Sequence, residues 1–202
     1  MRFELESGNL ILRALGEDYA PNVCDFYRRN YDYLSKWEPN LNDKLLSLEA
    51  MEMFMKADMK NMLLGSSVRY WFSFKNSPER IIGGVNFQDI KRGAFKSCQI
   101  GYKIDEDFSG RGLTKEAVHC AISSMFADEK LHRVEALIAV DNLPSVRLSE
   151  SLGFTKEGVS REFALINGDW KDCFQYSLLE GELKGLSQPV SYTHLTLPTN
   201  RE

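Results

Sequence analysis

No run of about 18 apolar residues occurs anywhere in the 202-residue chain, so a membrane-spanning helix is not expected. The amino terminus, MRFELESGN, is charged and has no apolar core segment, which argues against a secretory leader. Cysteine and histidine are scarce. Cys24, Cys98, Cys120 and Cys173 form no CxxC pair, and there are three histidines. This spacing supports neither a zinc site nor a disulfide framework, and four buried or semi-buried thiols are expected instead. Basic charge is not in excess either. At a formal net charge of -4 the chain lacks the footprint of a nucleic-acid binder, whereas an acidic surface mildly attracts a basic partner. What is present, 43% hydrophobic and 27% charged residues, suits one globular domain with a full-sized core. The expectation is a soluble cytoplasmic protein with no metal, no nucleic-acid partner and no membrane association.

Periodicity then divides the chain. Phe3 to Arg13 reads as two short strand pieces about Ser7-Gly8. Helical spacing covers Asp18 to Leu34 and Leu46 to Leu64, the second with a stripe of Met51, Phe54, Met55, Met59 and Met62. That stripe suits core packing, or a plastic wall for a substrate. Strands follow at Tyr70 to Lys75, Ile81 to Asp89 and Cys98 to Ile104, and then a helix from Thr114 to Lys130. Val134 to Val140 is almost continuously apolar, so burial on both faces is expected. A short helix from Leu143 to Leu152 ends at Gly153, a candidate left-handed cap. Lys156 to Ile166 and Lys171 to Leu179, joined through Asn167-Gly168, read as a hairpin. The order is that of one mixed α/β domain.

The stretch DFSGRGLTKEAVHCA, residues 107–121, passes from a strand through a glycine-rich turn into a helix. The first amides of such a helix are unpaired and the dipole favours negative charge there, so the turn is an anion site. Two glycines let backbone approach a phosphate closely. The pattern is neither GxxxxGK[ST] nor GxGxxG, which argues against a nucleotide-hydrolysing loop. Taken alone, an ordinary tight turn fits it as well.

More of the chain shares in a pattern. LSKWEP (34–39), IGYKID (100–105), SGRGLTKEAV (109–118), LHRVEA (131–136), the N-x-x-S of Asn142 to Ser145, LGF (152–154) and NGDWKD (167–172) occur in this order. Together they resemble the GCN5-related N-acetyltransferases, in the branch of the ribosomal-protein enzymes RimJ and RimL. The resemblance implies a central mixed, mostly antiparallel sheet, splayed between the fourth and fifth strands and flanked by helices. It implies acetyl-CoA as donor, with the pyrophosphate on the backbone of Ser109, Gly110, Arg111, Gly112, Leu113 and Thr114. The pantetheine arm is expected along Tyr102, Lys103 and Ile104, near Asn142 and Ser145. Against the family pattern [Q/R]-x-x-G-x-[G/A], Gly112 matches, while Ser109 and Thr114 depart. Arg111 adds charge to the phosphates or points into water. Asn142 contacts the arm, caps the following helix, or does both.

The family's tyrosine acid falls at Ser149, which leaves either a hydrogen-bond donor to the leaving sulfur or a surface serine. No general base is evident. Glu135 lies too near the start of its strand, and His119 and His132 read as structural. Glu38, Trp37 and Trp170 are the candidates for the acceptor side, each with surface pairing or packing as the alternative. The reading is an acetyl-CoA-dependent N-acetyltransferase for a protein N-terminus, a monomer or homodimer. A small-amine acceptor, or a non-catalytic acyl-CoA sensor, is the alternative. Residues 1–189 are expected to form the domain. From Val190 the chain loses amphipathic period, and its back-translation resembles a transposase adapter used in sequencing libraries, so 190–202 are expected to be a non-native tail.

Overall fold

The computed structural model describes residues 1–38 and 46–186. The adapter-like tail, and Pro39 of LSKWEP, lie outside the described residues. The start of the chain forms two strands, β1 (Glu4–Glu6) and β2 (Leu10–Arg13), paired antiparallel across the Ser7-Gly8 turn. Helices α1 (Ala20–Leu34) and α2 (Leu48–Leu64) follow. Pro21 sits in the first turn of α1, where its missing N–H is not needed, and the Ser47 hydroxyl caps α2 by accepting from the Ala50 amide at 3.2 Å. Then come β3 (Val68–Phe74), β4 (Gly83–Lys91), β5 (Ser97–Ile104), α3 (Leu113–Ala127), β6 (Arg133–Ala139), α4 (Leu143–Leu152), β7 (Thr155–Ile166) and β8 (Asp169–Leu179).

These strands form an eight-stranded sheet in the order β1-β2-β3-β4-β5-β6-β8-β7. All neighbours are antiparallel except β5 and β6. The expected mixed, mostly antiparallel α/β domain is therefore observed, with the first strand divided into two. The parallel β5–β6 contact covers Ser97↔Arg133, Cys98↔Val134 and Gln99↔Glu135. β5 then continues to Ile104 on β4 alone, while β6 stays on β8 as far as Ala139↔Cys173. The sheet thus splays where it was expected to, between the strands that begin at Ser97 and Arg133.

Strand alternation sorts the core onto the two faces of the sheet. Val68, Tyr70 and Phe72 of β3 join Ile100 of β5 and Val118, Ile122 and Met125 of α3 in one cluster. Trp71 points the other way and meets Phe26 and Tyr27 of α1 edge-to-face, with centroids 5.7 and 5.9 Å apart, in a second cluster with Met51 and Met55. The methionine stripe of α2 is thus core, Met51, Met55 and Met62 being buried. β6 departs from expectation. Val134, Ala136 and Ile138 are buried against the α3-side core, but Glu135 and Leu137 stay half-exposed, because the α1–α2 cluster that covers Trp71 on the other face of the sheet includes no residue of β6. All four cysteines are free and buried, as expected. Among the described residues no helix is long and apolar enough to cross a membrane, and no group of metal-ligating side chains occurs.

Candidate functional site

The cleft begins where β5 leaves β6. Beyond Gln99, one edge of β5 lacks a strand partner among the described residues, and a strand edge without a partner presents N–H and C=O groups in the spacing an amide-containing chain can match. β5 runs directly into a 3-10 turn, Glu106–Phe108, and then into the Ser109–Gly112 loop at the amino end of α3. Gly110 and Gly112 adopt φ of 74° and 79°, the left-handed region that glycine enters at little cost, and nothing lies within 4 Å of a Cβ built on either. Unlike α2 and α4, α3 has no side-chain cap at its amino end. The amides of Gly110 through Lys115 meet no acceptor among the described residues, the first helical bond being Glu116 N–H to the Gly112 carbonyl at 3.1 Å. Exposed glycine backbone, unpaired amides and the positive end of a 15-residue helix dipole make this turn suited to a diphosphate.

The loop is braced from α1. Tyr33 Oη lies 3.3 Å from Ser109 Oγ. Buried Asn30 accepts from the Glu106 amide at 2.9 Å and donates to the Phe26 carbonyl at 2.9 Å. Arg29 pairs with Asp105 and donates to the Ile81 carbonyl at 3.1 Å. Arg111 is exposed, with its guanidinium 5.3 Å from the centre of the Phe108 ring. Leu113 and Thr114 are half-buried as the helix begins.

On the α4 side, Asn142 Oδ1 accepts from the Ser145 amide at 3.2 Å, so the capping role is realised. The Tyr102 phenol donates to the Ser145 carbonyl at 3.1 Å. Having one proton, its oxygen then accepts from the Ser149 hydroxyl, also at 3.1 Å. Ser149 is 1% exposed, so it is not the surface serine of the alternative reading. Burial pushes the Tyr102 phenol above its ordinary value, and the bonds with Ser149 and Ser145 partly oppose that shift. This phenol–hydroxyl pair was not anticipated, because residues 47 positions apart carry no mutual signal in sequence.

The opposite face of β5 presents Lys103 to α1. Its side chain is 8% exposed, and the ammonium pairs with Glu38 Oε1, lies 2.8 Å from Tyr27 Oη and sits 4.8 Å from the centre of that ring. Trp37 and Glu38 close the carboxyl end of α1, their amides donating to the Leu34 carbonyl at 2.9 and 3.0 Å. Trp37 lines an open groove of about 300 Å³ with Lys36, Asp141, Ile166, Asn167, Asp169 and Lys171. A second void, of about 10 Å³ beside Met59, Met62 and Trp71, has room for no more than a water. Trp170 is 60% exposed and does not line the groove, since strand alternation turns it away from the face of Asp169 and Lys171. Glu135 is engaged by Arg133 at 2.8 Å. His119 is buried with its imidazole pushed below its ordinary pKa by burial and by Lys115, away from the cleft-facing groups.

The structure therefore brings together the loop, the free edge of β5, the α4 cap with Ser149, and the Trp37–Glu38 turn. Comparison with known proteins agrees with this geometry. A family profile described as "Acetyltransferase (GNAT) domain" matches residues 9–155. The [Ribosomal protein uS5]-alanine N-acetyltransferase of Escherichia coli (strain K12) is 30% identical over 172 residues, which is 85% of this chain and 88% of that protein. The solved ribosomal-protein-S5-alanine acetyltransferase of Vibrio fischeri superposes with a TM-score of 0.84 at 26% identity, covering 91% of this chain and all of that one. RimL, a ribosomal L7/L12 alpha-N-protein acetyltransferase solved in complex with coenzyme A, has a TM-score of 0.79 at 23% identity, over 86% and 95% of the two chains, and shares the fold. The chain belongs to the GNAT acetyltransferase family, and it is an N-acetyltransferase of the ribosomal-protein type.

Proposed function

We propose that the protein transfers acetyl from acetyl-CoA to the α-amino group of a protein amino terminus. The observation that carries this reading is the three-pair limit of the β5–β6 contact, which opens a strand edge leading straight into an uncapped, glycine-rich helix start. The pyrophosphate is assigned to the amides of Gly110 through Thr114, because the amide of Ser109, which the family resemblance had included, is taken by the Glu106 carbonyl at 3.1 Å; the pantetheine amides are assigned to Tyr102 through Ile104, with Asn142 and Ser145 beside the arm. A β5 amide polarises the thioester carbonyl as negative charge develops on its oxygen. Ser149 donates a hydrogen bond to the departing sulfur by exchanging it from Tyr102 Oη. No step in this transfer calls for a metal.

The acceptor follows from two features. The groove at Trp37 is open rather than closed about a small ligand, which suits a chain end. A net charge of -4 favours a basic partner, as ribosomal proteins are, and the relative from Escherichia coli acetylates a ribosomal-protein alanine. The test is acetyl-CoA-dependent thiol release with mass-spectrometric detection, using peptides that begin with Ala, Ser, Thr or Met, and spermidine. Acetyl on the terminal nitrogen of a peptide is the expected product. Products from spermidine alone would refute the N-terminal assignment.

A further inference from the structure

The cluster on the α1 face of β5 carries an unexplained feature. Glu38 Oε1 takes both the Lys103 ammonium and, at 3.5 Å, the Tyr27 hydroxyl. Glu38 Oε2 is shielded from solvent and has no hydrogen-bond partner among the described residues. A buried carboxylate oxygen without a donor is costly, and few survive in folded proteins without a ligand or a role. The group that completes it must bring an N–H or O–H.

Position narrows the choice. Lys103 lies four residues beyond the last β5–β6 pair, Gln99↔Glu135, and so in the splayed part of the strand. By alternation it faces α1, whereas Tyr102 faces α4. Glu38 is also chain neighbour to Trp37, which lines the groove. Asp105 is engaged by Arg29, Asp141 by Lys171 at 3.3 Å, and Glu135 by Arg133, while Asp169, also in the groove lining, is an exposed carboxylate rather than a shielded one.

We propose that Glu38 takes the proton from the incoming acceptor ammonium through Oε2, with Lys103 and Tyr27 as positioning residues that hold Oε1. The inference rests on the acetyltransferase reading above. In the step, R–NH3⁺ gives one proton to the Glu38 carboxylate and becomes R–NH2. Its lone pair forms the C–N bond at the thioester carbonyl carbon, and the C–S bonding pair leaves on sulfur. A second N–H proton ends on that sulfur as free thiol, and Glu38 returns the first to solvent. The charged and titratable groups facing Glu38 are Lys103 from β5 and Tyr27 from α1.

The test compares kcat/KM of wild type and Glu38→Gln at pH 6.5 and pH 9 on whichever amine of the peptide and spermidine panel the wild type accepts. An α-amine with pKa about 8 is about 3% neutral at pH 6.5 and about 90% neutral at pH 9. Glu38→Gln, limited to amine already neutral, is then expected to fall about 30-fold at pH 6.5 and to approach wild type at pH 9. The KM for acetyl-CoA should stay within about twofold of wild type. A deficit equal at both pH values, or below threefold at pH 6.5, overturns the proposal, because a purely structural ion pair has no reason to follow the acceptor's ionisation. If Glu38→Gln alone unfolds, Glu38→Gln/Lys103→Met leaves no lone buried charge and carries the same comparison. Turnover only with small amines sinks the N-terminal reading while the Glu38 comparison proceeds on those amines. No turnover with any amine overturns both.

Discussion

Replacing Tyr102 with Phe removes one oxygen and keeps the ring, so it isolates the two hydrogen bonds that tie β5 to α4. The Ser149 hydroxyl, 1% exposed, loses its acceptor, and the Ser145 carbonyl loses a donor. A buried polar group left unmatched costs about 1–3 kcal/mol; the Ser145 carbonyl keeps a helical partner available, so about 2 kcal/mol is expected for the pair. At about 2–4 °C per kcal/mol for a chain of this size, Tm should fall by about 4–8 °C. Ser149→Ala leaves Tyr102 bonded to Ser145 and should cost about 1 kcal/mol or less. The double variant should then be less destabilised than the sum by about 1 kcal/mol, the signature of a shared bond. Urea denaturation of the four proteins measures this cycle. Because burial raises the phenol's pKa, its contribution is present below the ordinary value of 10.0 and is lost only as pH rises above it, so the cycle belongs at neutral pH. A Tm change under 1 °C for Tyr102→Phe, or full additivity, would refute the assignment. Since α4 also carries Asn142 and Ser145, Tyr102→Phe is further expected to raise the KM for acetyl-CoA more than Ser149→Ala does.

Gly112 sits at φ 79° with open space around a built Cβ, so Gly112→Ala should cost about 1 kcal/mol through backbone strain alone. Its clearer effect is a KM for acetyl-CoA raised several-fold at near-constant kcat; an unchanged KM would show that the loop does not hold the donor. Arg133 and Ser177 hold the Glu157 carboxyl down at about 2. A depressed carboxyl contributes stability above its ordinary pKa of 4.5 and loses it as pH falls toward 2. Wild type should therefore exceed Glu157→Gln by at most about 1 kcal/mol at pH 6, this being a partly exposed pair, with the difference closing between pH 4.5 and 2 in acid denaturation. Burial pushes the Cys98 and Cys120 thiols up to about 12, and all four cysteines are buried. A thiol reagent should label the native protein slowly and find four thiols after unfolding, which keeps the enzyme's own sulfur out of a coenzyme-A release assay.

Element type could be read from the chain because local chemistry settles it. Aromatic and β-branched residues marked β3, an Asn-Gly turn marked the β7–β8 hairpin, and Asn142, Pro144 and Gly153 bounded α4 at both ends. The glycine loop was also readable as an anion site, because unpaired amides at a helix start follow from backbone geometry whatever surrounds them. The β6 expectation failed for the opposite reason. An apolar run reports what a strand can bury, while coverage of each face depends on what packs over it, and the α1–α2 cluster that covers Trp71 of β3 includes no residue of β6.

The acceptor side required the fold. Trp37 and Trp170 read alike in the chain, yet one lines the groove and the other is turned out by the parity of its strand. Glu38 and Lys103 are 65 positions apart, as are other pairs with no relation, and only the packing of α1 on β5 makes them an ion pair with one carboxylate oxygen left over. Sequence by itself determined the elements, the loop and the family, since each rests on contacts between near neighbours or on ordered motifs. Tertiary structure decided the splay of the sheet, the two sides of β5 and the hydroxyl and carboxylate partners there, because these depend on where distant segments meet.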